Sequence, residues 1–414
     1  MFTAFSTALS GLSANSTAVD VVGNNLANLN TTGFKASEVA FHDLVAQSLG
    51  AGVAETQIGF GVGRPSTIRQ FSQGAIQSSN GPLDAAIQGS GFLIVKNSAG
   101  SILYTRGGNL LVDKNGVLLT STGEAVQGYT AVNGTVTPSG TLGNIVVPVG
   151  TIKPPEATEN FSFDMNLNAA GVIGTPTEKF STSIQIFDSL GSSHIVTVDF
   201  TKNATANTWD YSISLPDADT TAPLTPTTGT VTFDSDGKLL TPAATDPPPT
   251  FAITGFADGA SDATINWNMY DGIIPRITQF AQTSAVSANT QDGNASAELI
   301  KVSLGDGGFI RAQYSDGNET VIAQLAMASI RNPESLLSVG NNNYQLSERT
   351  STPAVGAAGT GGRGDILGSA LESSTVDIAR EFTQLIILQR GYEANAKIIT
   401  AVDELTQDTI NLKR

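Results

Sequence analysis

Two stretches at the ends of the chain constrain its fold more than anything between them. From 371 to 410, Leu371, Thr375, Ile378, Phe382, Leu385, Gln389, Tyr392, Ala396, Ile399, Asp403, Thr406 and Ile410 follow one another at alternating steps of four and three. That is the roughly 3.5-residue period of a coiled coil, and it predicts one long helix from about Leu371 to Arg414. Residues 1–34 carry Phe2, Phe5, Leu9, Leu12, Ser16 and Val19 at the same steps, then Val22, Leu26 and Leu29 after a slip of one residue, and predict a second helix. A chain that begins and ends in matching seams has ends that pack together or against copies of themselves.

The seams are poor in apolar residues, with Ser16, Gln389, Asp403 and Thr406 on them. At about 25 cal/mol per Å² such a pair buries too little to be more than marginal alone. Packing between subunits is therefore favoured over a self-contained stalk. The assembly residues expected on these faces are Phe2, Phe5, Leu9, Leu12, Val19, Leu26, Ile378, Phe382, Leu385, Tyr392, Ile399 and Leu405.

Between the ends the texture is that of β structure. Phe92–Lys96, Leu103–Thr105, Leu110–Val112 and Val117–Thr120 read as short strands around turns such as Asp113-Lys-Asn-Gly116, and Asn133-Gly134 closes another candidate hairpin. Ala297–Leu304, Phe309–Tyr314, Glu319–Ile330 and Asn343–Leu346 repeat that texture. The two blocks, 76–150 and 280–370, are expected to form one discontinuous inner β domain. Residues 151–279 differ in composition, with Pro154-Pro155 and Pro247-Pro248-Pro249, and read as an inserted outer β-sandwich or barrel. Residues 31–75 form a connector with a possible short helix at Glu38–Gln47 and a glycine-punctuated link, Ile58-Gly-Phe-Gly-Val-Gly63. Thr350–Gly368 reads as a flexible return path. The fold class is thus multi-domain and mainly β with a terminal α-helical coiled coil: residues 1–30 and 371–414 pair, the inner β domain is split, and the outer one is inserted.

Composition excludes several functions. A net charge of −16 argues against a sequence-independent hold on nucleic acid and against an anionic membrane surface. The chain has no cysteine, which removes disulfides and thiolate metal sites. Residues 1–34 contain Asp20 as their single charge and have spaced apolar residues, so no signal peptide is expected; no apolar run is long enough to span a membrane.

Catalytic chemistry finds no candidates. The two histidines, His42 and His194, fall in different expected domains, so no histidine cluster, metal site or cofactor site is expected. Gly59-Phe-Gly-Val-Gly63 lacks the Lys-Ser/Thr pair of a phosphate loop, and Asp234-Ser-Asp-Gly237 lacks the later ligands of a calcium loop. Arg363-Gly364-Asp365 spells an attachment tripeptide in a glycine-rich loop, where such a match arises by chance.

Several segments resemble a known family. Val22-Gly-Asn-Asn-Leu-Ala-Asn-Leu-Asn-Thr-Thr-Gly-Phe-Lys35 is similar to the N-terminal signature of the bacterial flagellar rod and hook family, through Asn24, Asn25, Leu26, Ala27, Asn28, Thr32, Gly33, Phe34 and Lys35. Asn80-Gly-Pro-Leu-Asp84, Ile87-Gln-Gly-Ser-Gly-Phe-Leu-Ile-Val95 and Tyr104-Thr-Arg-Gly-Gly-Asn109 resemble the segments that follow it. Ala370-Leu-Glu-Ser-Ser-Thr-Val-Asp-Ile-Ala-Arg380 and Gln389-Arg-Gly-Tyr-Glu-Ala-Asn-Ala-Lys397 resemble its closing helix. Rod members carry a short middle or none, whereas the outer domain expected here resembles the hook branch; the distal rod protein is the alternative within the family, and a secreted β-rich binding protein is the alternative from a different class.

The resemblance implies a structural subunit that polymerises with itself into a hollow, curved tube acting as a flexible joint. It implies rod proteins below, hook-filament junction proteins above, and a hook cap and the type III export apparatus as partners during assembly. It also implies export without a cleaved signal peptide. The terminal helices would then be disordered in the free subunit and helical in the tube wall.

Overall fold

Asparagine chemistry ends the first helix before Gly33. In the computed structural model, which describes residues 2–44, 46–49, 56–132, 134–138, 140–173 and 178–411, helix α1 spans Phe2–Ala27. The Asn28 N–H donates to the carbonyls of Asn24 and Asn25 at 3.3 and 3.0 Å, and its side-chain amide returns to the Asn24 carbonyl at 2.9 Å. These bonds satisfy carbonyls that a helix end otherwise leaves open.

Helix α2 spans Ile378–Asn411, shorter than the seam that begins at Leu371. Ala370–Glu372 instead runs antiparallel to Ile76–Ser78, with Glu372 opposite Ile76. Asp377 then starts the helix, its Oδ1 accepting the Arg380 N–H at 3.1 Å. The connector likewise departs from expectation, for the described residues of Glu38–Gln47 hold no helix. Ser37–Ala40 pairs with Ser66–Arg69 and Ala46–Leu49 with Thr56–Gly59, with Asp43 bridging Val62 between them. A single short helix is marginal in water, whereas this long hairpin gives the backbone cross-strand partners. Gly61, at φ 100°, lies where a Cβ would meet the Ser10 hydroxyl, which accepts the Val62 N–H at 3.1 Å.

Two units make up the chain: Met1–Val149 with Lys301–Gln313 and Glu319–Arg414, and Gly150–Ile300 with Tyr314–Asn318. Residues 280–300, expected in the inner domain, belong to the second unit, where Ala285–Gln291 pairs with Asn160–Asn168.

In the first unit the central strand Phe92–Lys96 pairs with Ile102–Thr105, Ala125–Val132 and Glu319–Ser329. Its run of apolar residues serves two cores. Phe92 and Ile94 join Tyr104 and Tyr344 on one side, while Leu93 and Val95 join Leu118, Val126 and Leu325 on the other. This is why the strand shows no alternation of polar and apolar residues. Thr350–Gly368 is no flexible path: Ala354–Ala357 pairs with the end of Glu319–Ser329, and Asp365–Gly368 pairs with Ala85–Gln88. Small Ala and Gly side chains let these strands lie close, and Arg363 ties the loop by donating to the carbonyls of Ala357 and Ala354. The Arg363-Gly364-Asp365 tripeptide is thus bound into the fold. For the hairpin expected at Asn133-Gly134, Ala131 and Val132 pair with Val136 and Thr135; Asn133 lies outside the described residues.

The second unit is a sandwich of two five-stranded sheets. One is a meander of Lys179–Phe187, Ser193–Lys202, Thr208–Ser214, Thr227–Phe233 and Leu239–Thr241. The other centres on Asn160–Asn168, which runs parallel to Ala263–Trp267 and Ile277–Phe280 and antiparallel to Ala285–Gln291. Alternation is strict along Ser193–Lys202, whose His194, Val196, Val198, Phe200 and Lys202 are all buried. Trp209, Trp267, Phe161 and Phe163 fill the space between the sheets. Asp234 Oδ1 accepts the N–H groups of Asp236 and Lys238, which makes Asp234–Gly237 a hairpin turn.

Candidate assembly surface

The two helices form an antiparallel hairpin, but on the faces next to those the period singled out. Ala8, Gly11, Ala14, Ala18, Val22 and Asn25 of α1 are buried. A Cβ on Gly11 would meet the Asn395 side chain at 3.0 Å, one on Gly391 would meet Asn15 at 3.2 Å, and Asn25 Nδ2 donates to Glu381 Oε1 at 3.2 Å. These three pairs keep a single register, since every step along α1 is matched by an equal step back along α2. By that register α2 continues past the start of α1, and Leu405 and Ile410 are exposed.

The bulky residues expected to make the seam therefore point elsewhere. Phe5 and Leu9 of α1, and Ile378, Phe382, Tyr392 and Leu405 of α2, are exposed, while Leu12, Val19, Leu26, Leu385 and Ile399 are half-buried. The Phe2 side chain lies outside the described residues. Each inner position is the residue before an expected one: Ala8 for Leu9, Gly11 for Leu12, Asn25 for Leu26, Glu381 for Phe382, Gly391 for Tyr392. The period cannot tell adjacent stripes apart; the glycines can, because only they let the helix axes approach. Outside this small-residue interface, Ile386 and Ile387 are 58% and 63% exposed, adding to a broad apolar outer face. Isolated soluble surfaces rarely carry such a face without a partner.

The signature residues build the joint between hairpin and body rather than an exposed surface. Asn25 uses its whole amide: Oδ1 accepts the Ser37 N–H at 3.0 Å, and Nδ2 donates to the Ser37 carbonyl at 2.8 Å and to Glu381. Thr32 Oγ1 donates to Asn109 Oδ1 at 2.8 Å, and the Thr32 carbonyl accepts from Asn342. Gly33 has φ 68°, and a Cβ there would lie 2.6 Å from the Arg106 carbonyl. Its N–H donates to the Glu372 carbonyl at 2.8 Å. Phe34 is buried, while Leu26 and Asn28 are half-buried and Asn24 and Ala27 are exposed.

Lys35 is fully buried and anchors a network of charges. Its Nζ donates to Glu372 Oε1 and to the Ser72 carbonyl, both at 2.6 Å. Glu372 also accepts the Gly74 N–H at 2.8 Å and faces Arg106 Nη1 at 3.2 Å. Arg106 donates on to the carbonyls of Gly91 and Gly89. Burial pushes the Lys35 ammonium below its ordinary value, and the Glu372 carboxylate opposes that shift. Arg106 and Glu372 lie within segments that carry the family resemblance but were given no role of their own, and Glu381 lies just outside them. The signal available was a set of charges embedded in otherwise small and apolar motifs.

Four family models match in chain order. They are the flagella basal body rod protein model at residues 5–35, the flagellar hook protein FlgE/F/G D1 domain at 86–173, the flagellar basal body protein FlaE D2 domain at 164–294, and the flagellar basal body rod FlgEFG protein C-terminal model at 367–412. The chain is 31% identical to the flagellar hook protein FlgE of Escherichia coli over 99% of this chain and 100% of that one. The chain belongs to the flagellar hook protein family. The hook protein FlgE of Treponema pallidum is 32% identical over 98% of both chains. The crystal structure of the Helicobacter pylori flagellar hook protein FlgE2 shares the fold, with a TM-score of 0.54 and 15% identity over 70% of this chain and 99% of that chain. The FlaE D2 domain model, at residues 164–294, covers most of the inserted sandwich.

Proposed function

We propose that the protein is the structural subunit of the bacterial flagellar hook, polymerising with itself into a hollow, curved tube that carries torque from rod to filament. The observation that carries the reading is the placement of small residues inside the helix hairpin and of Phe5, Leu9, Phe382, Ile386, Ile387 and Tyr392 outside it. A hairpin built this way leaves its largest apolar side chains to neighbouring copies, each able to contribute roughly 1.5–3 kcal/mol when buried. Full-length similarity to hook proteins supports the same reading.

The role is structural and not enzymatic, and the site of action is outside the cell. Among the described residues no helix is long and apolar enough to cross a membrane. Rod proteins below, junction proteins above, the hook cap and the type III export apparatus complete the partner set, with export proceeding without a cleaved signal peptide. The helical hairpin is marginal in the free subunit and gains its stability from neighbours, because burial on assembly is coupled to folding by mass action. The hairpin arm at 34–73, which leaves the helices and enters the body, is where bending stiffness is set.

The test is polymerisation of purified protein followed by electron microscopy. Wild type should give curved tubes; Ile387→Asp and Phe382→Asp should remain monomeric with unchanged Trp fluorescence. Tubes from both variants at the wild-type critical concentration would sink the assignment of this surface.

A further inference from the structure

Three loops meet at one end of the second unit around the buried histidine. Asp188 follows the strand Lys179–Phe187, and its Oδ1 accepts the N–H groups of Leu190 and Ser192 at 2.8 and 2.9 Å. His194 enters the next strand, with Nε2 2.9 Å from Asp188 Oδ2. Its Nδ1 makes no hydrogen bond and faces Asp219 Oδ2 at 3.5 Å. Asp219 is held in place by the Ala257 N–H, which donates to its carbonyl at 3.0 Å. Asp258 lies on that same segment, its Oδ1 accepting the Ala260 N–H at 3.0 Å. The Phe256 ring covers the imidazole at 4.8 Å. Asp188 is 1% exposed and His194 6%, while Asp258 stands at the open rim.

We propose that Asp188, His194 and Asp258 bind a divalent transition-metal ion, with Asp219 orienting the imidazole. One donor atom from each of the three residues falls within 4.8 Å of the others. Both carboxylates are tethered through one oxygen to backbone N–H groups, and the other oxygen of Asp188 faces His194 Nε2 at 2.9 Å, a contact that a metal ion between them would replace. One imidazole nitrogen with two carboxylates is a donor set that suits Zn2+ or Mn2+. A metal-bound histidine characteristically offers its other ring N–H to a carboxylate, and Asp219 stands where that partner belongs. Three carboxylates surround a single imidazole, and the one on Asp188 is buried, a desolvation cost that a bound cation reduces. The competing arrangement is an imidazolium paired with Asp188 that closes the hairpin and binds no metal. Sequence reading missed the cluster because its members are dispersed from 188 to 258 and include one histidine.

The full chain, first treated with a chelator, is titrated with ZnCl2 and separately with MnCl2 by calorimetry. Binding of one ion per chain is expected for at least one metal, and that metal should raise the thermal transition seen by Trp fluorescence, which reports the second unit because Trp209 and Trp267 both lie there. EDTA should reverse the shift. Asp258→Asn alters a rim residue and should keep the fold while weakening binding at least about tenfold; Asp219→Asn should weaken it by about the same factor, in line with outer-shell partners elsewhere. His42→Ala, outside the site, should bind as wild type. Absence of binding by either metal, or equal affinity in wild type and Asp258→Asn, would overturn the proposal in favour of the imidazolium.

Discussion

Replacement of Glu372 by Ala tests whether the joint between the helices and the body is built on charge. In the wild type this carboxylate meets Lys35 Nζ at 2.6 Å, the Gly74 N–H at 2.8 Å and Arg106 Nη1 at 3.2 Å, with the Lys35 and Glu372 side chains fully buried. Removing it leaves two buried cations without their counter-charge, a change that costs about 3–5 kcal/mol in comparable buried pairs. Replacing the whole set, in Lys35→Met, Arg106→Met and Glu372→Leu together, should recover most of that loss, because the desolvation penalty disappears along with the attraction. The assay is urea unfolding followed by two probes. Far-UV circular dichroism sees both units, whereas the chain's two Trp residues lie in the second unit and report it alone. The Glu372→Ala variant should shift the dichroism transition to lower urea and leave the Trp transition in place. A loss below about 1 kcal/mol, the range of an exposed ion pair, would refute the reasoning.

Three further outcomes follow from particular positions. Gly33→Ala places a Cβ 2.6 Å from the Arg106 carbonyl at a φ of 68°, and should lower the stability of the first unit by roughly 1–3 kcal/mol in the same urea assay. Gly391→Leu forces a side chain into Asn15 across the hairpin, and should abolish tube formation while leaving the Trp transition unchanged. In acid, burial alone would raise the Glu124 carboxyl, but hydrogen bonds from Thr120, Thr122, its own N–H and Asn343 outweigh it and hold the group below its ordinary 4.5. A depressed carboxyl contributes stability that is complete above its unfolded value and is lost as pH falls through the folded value. The dichroism transition should therefore weaken below about pH 4.5, and Glu124→Gln should flatten that dependence.

Local sequence carried much of the fold. Phe92–Lys96, Leu110–Val112, Ala297–Leu304 and Phe309–Tyr314 form strands at the expected residues, because β-branched and aromatic runs between turn residues have few alternatives. The expected helix at Glu38–Gln47 failed because its competitor, a partner strand at Ser66–Arg69, lies too far along the chain for a local pattern to register. The same holds for Leu371, which has seam spacing but becomes a strand opposite Gln77.

What the sequence determined by itself was periodicity and punctuation: that both ends are helices, that the body is β, and that Asn24–Lys35 carries a specialised motif. Tertiary structure alone decided which stripe of each helix faces inward, because adjacent stripes share a period and the choice rests on Gly11 and Gly391 meeting Asn395 and Asn15. It alone decided that Lys35 finds Glu372 and Arg106, and that Asp188, His194, Asp219 and Asp258 converge. Burial makes these charges interdependent, and burial is a property of the folded arrangement that no short stretch of sequence carries.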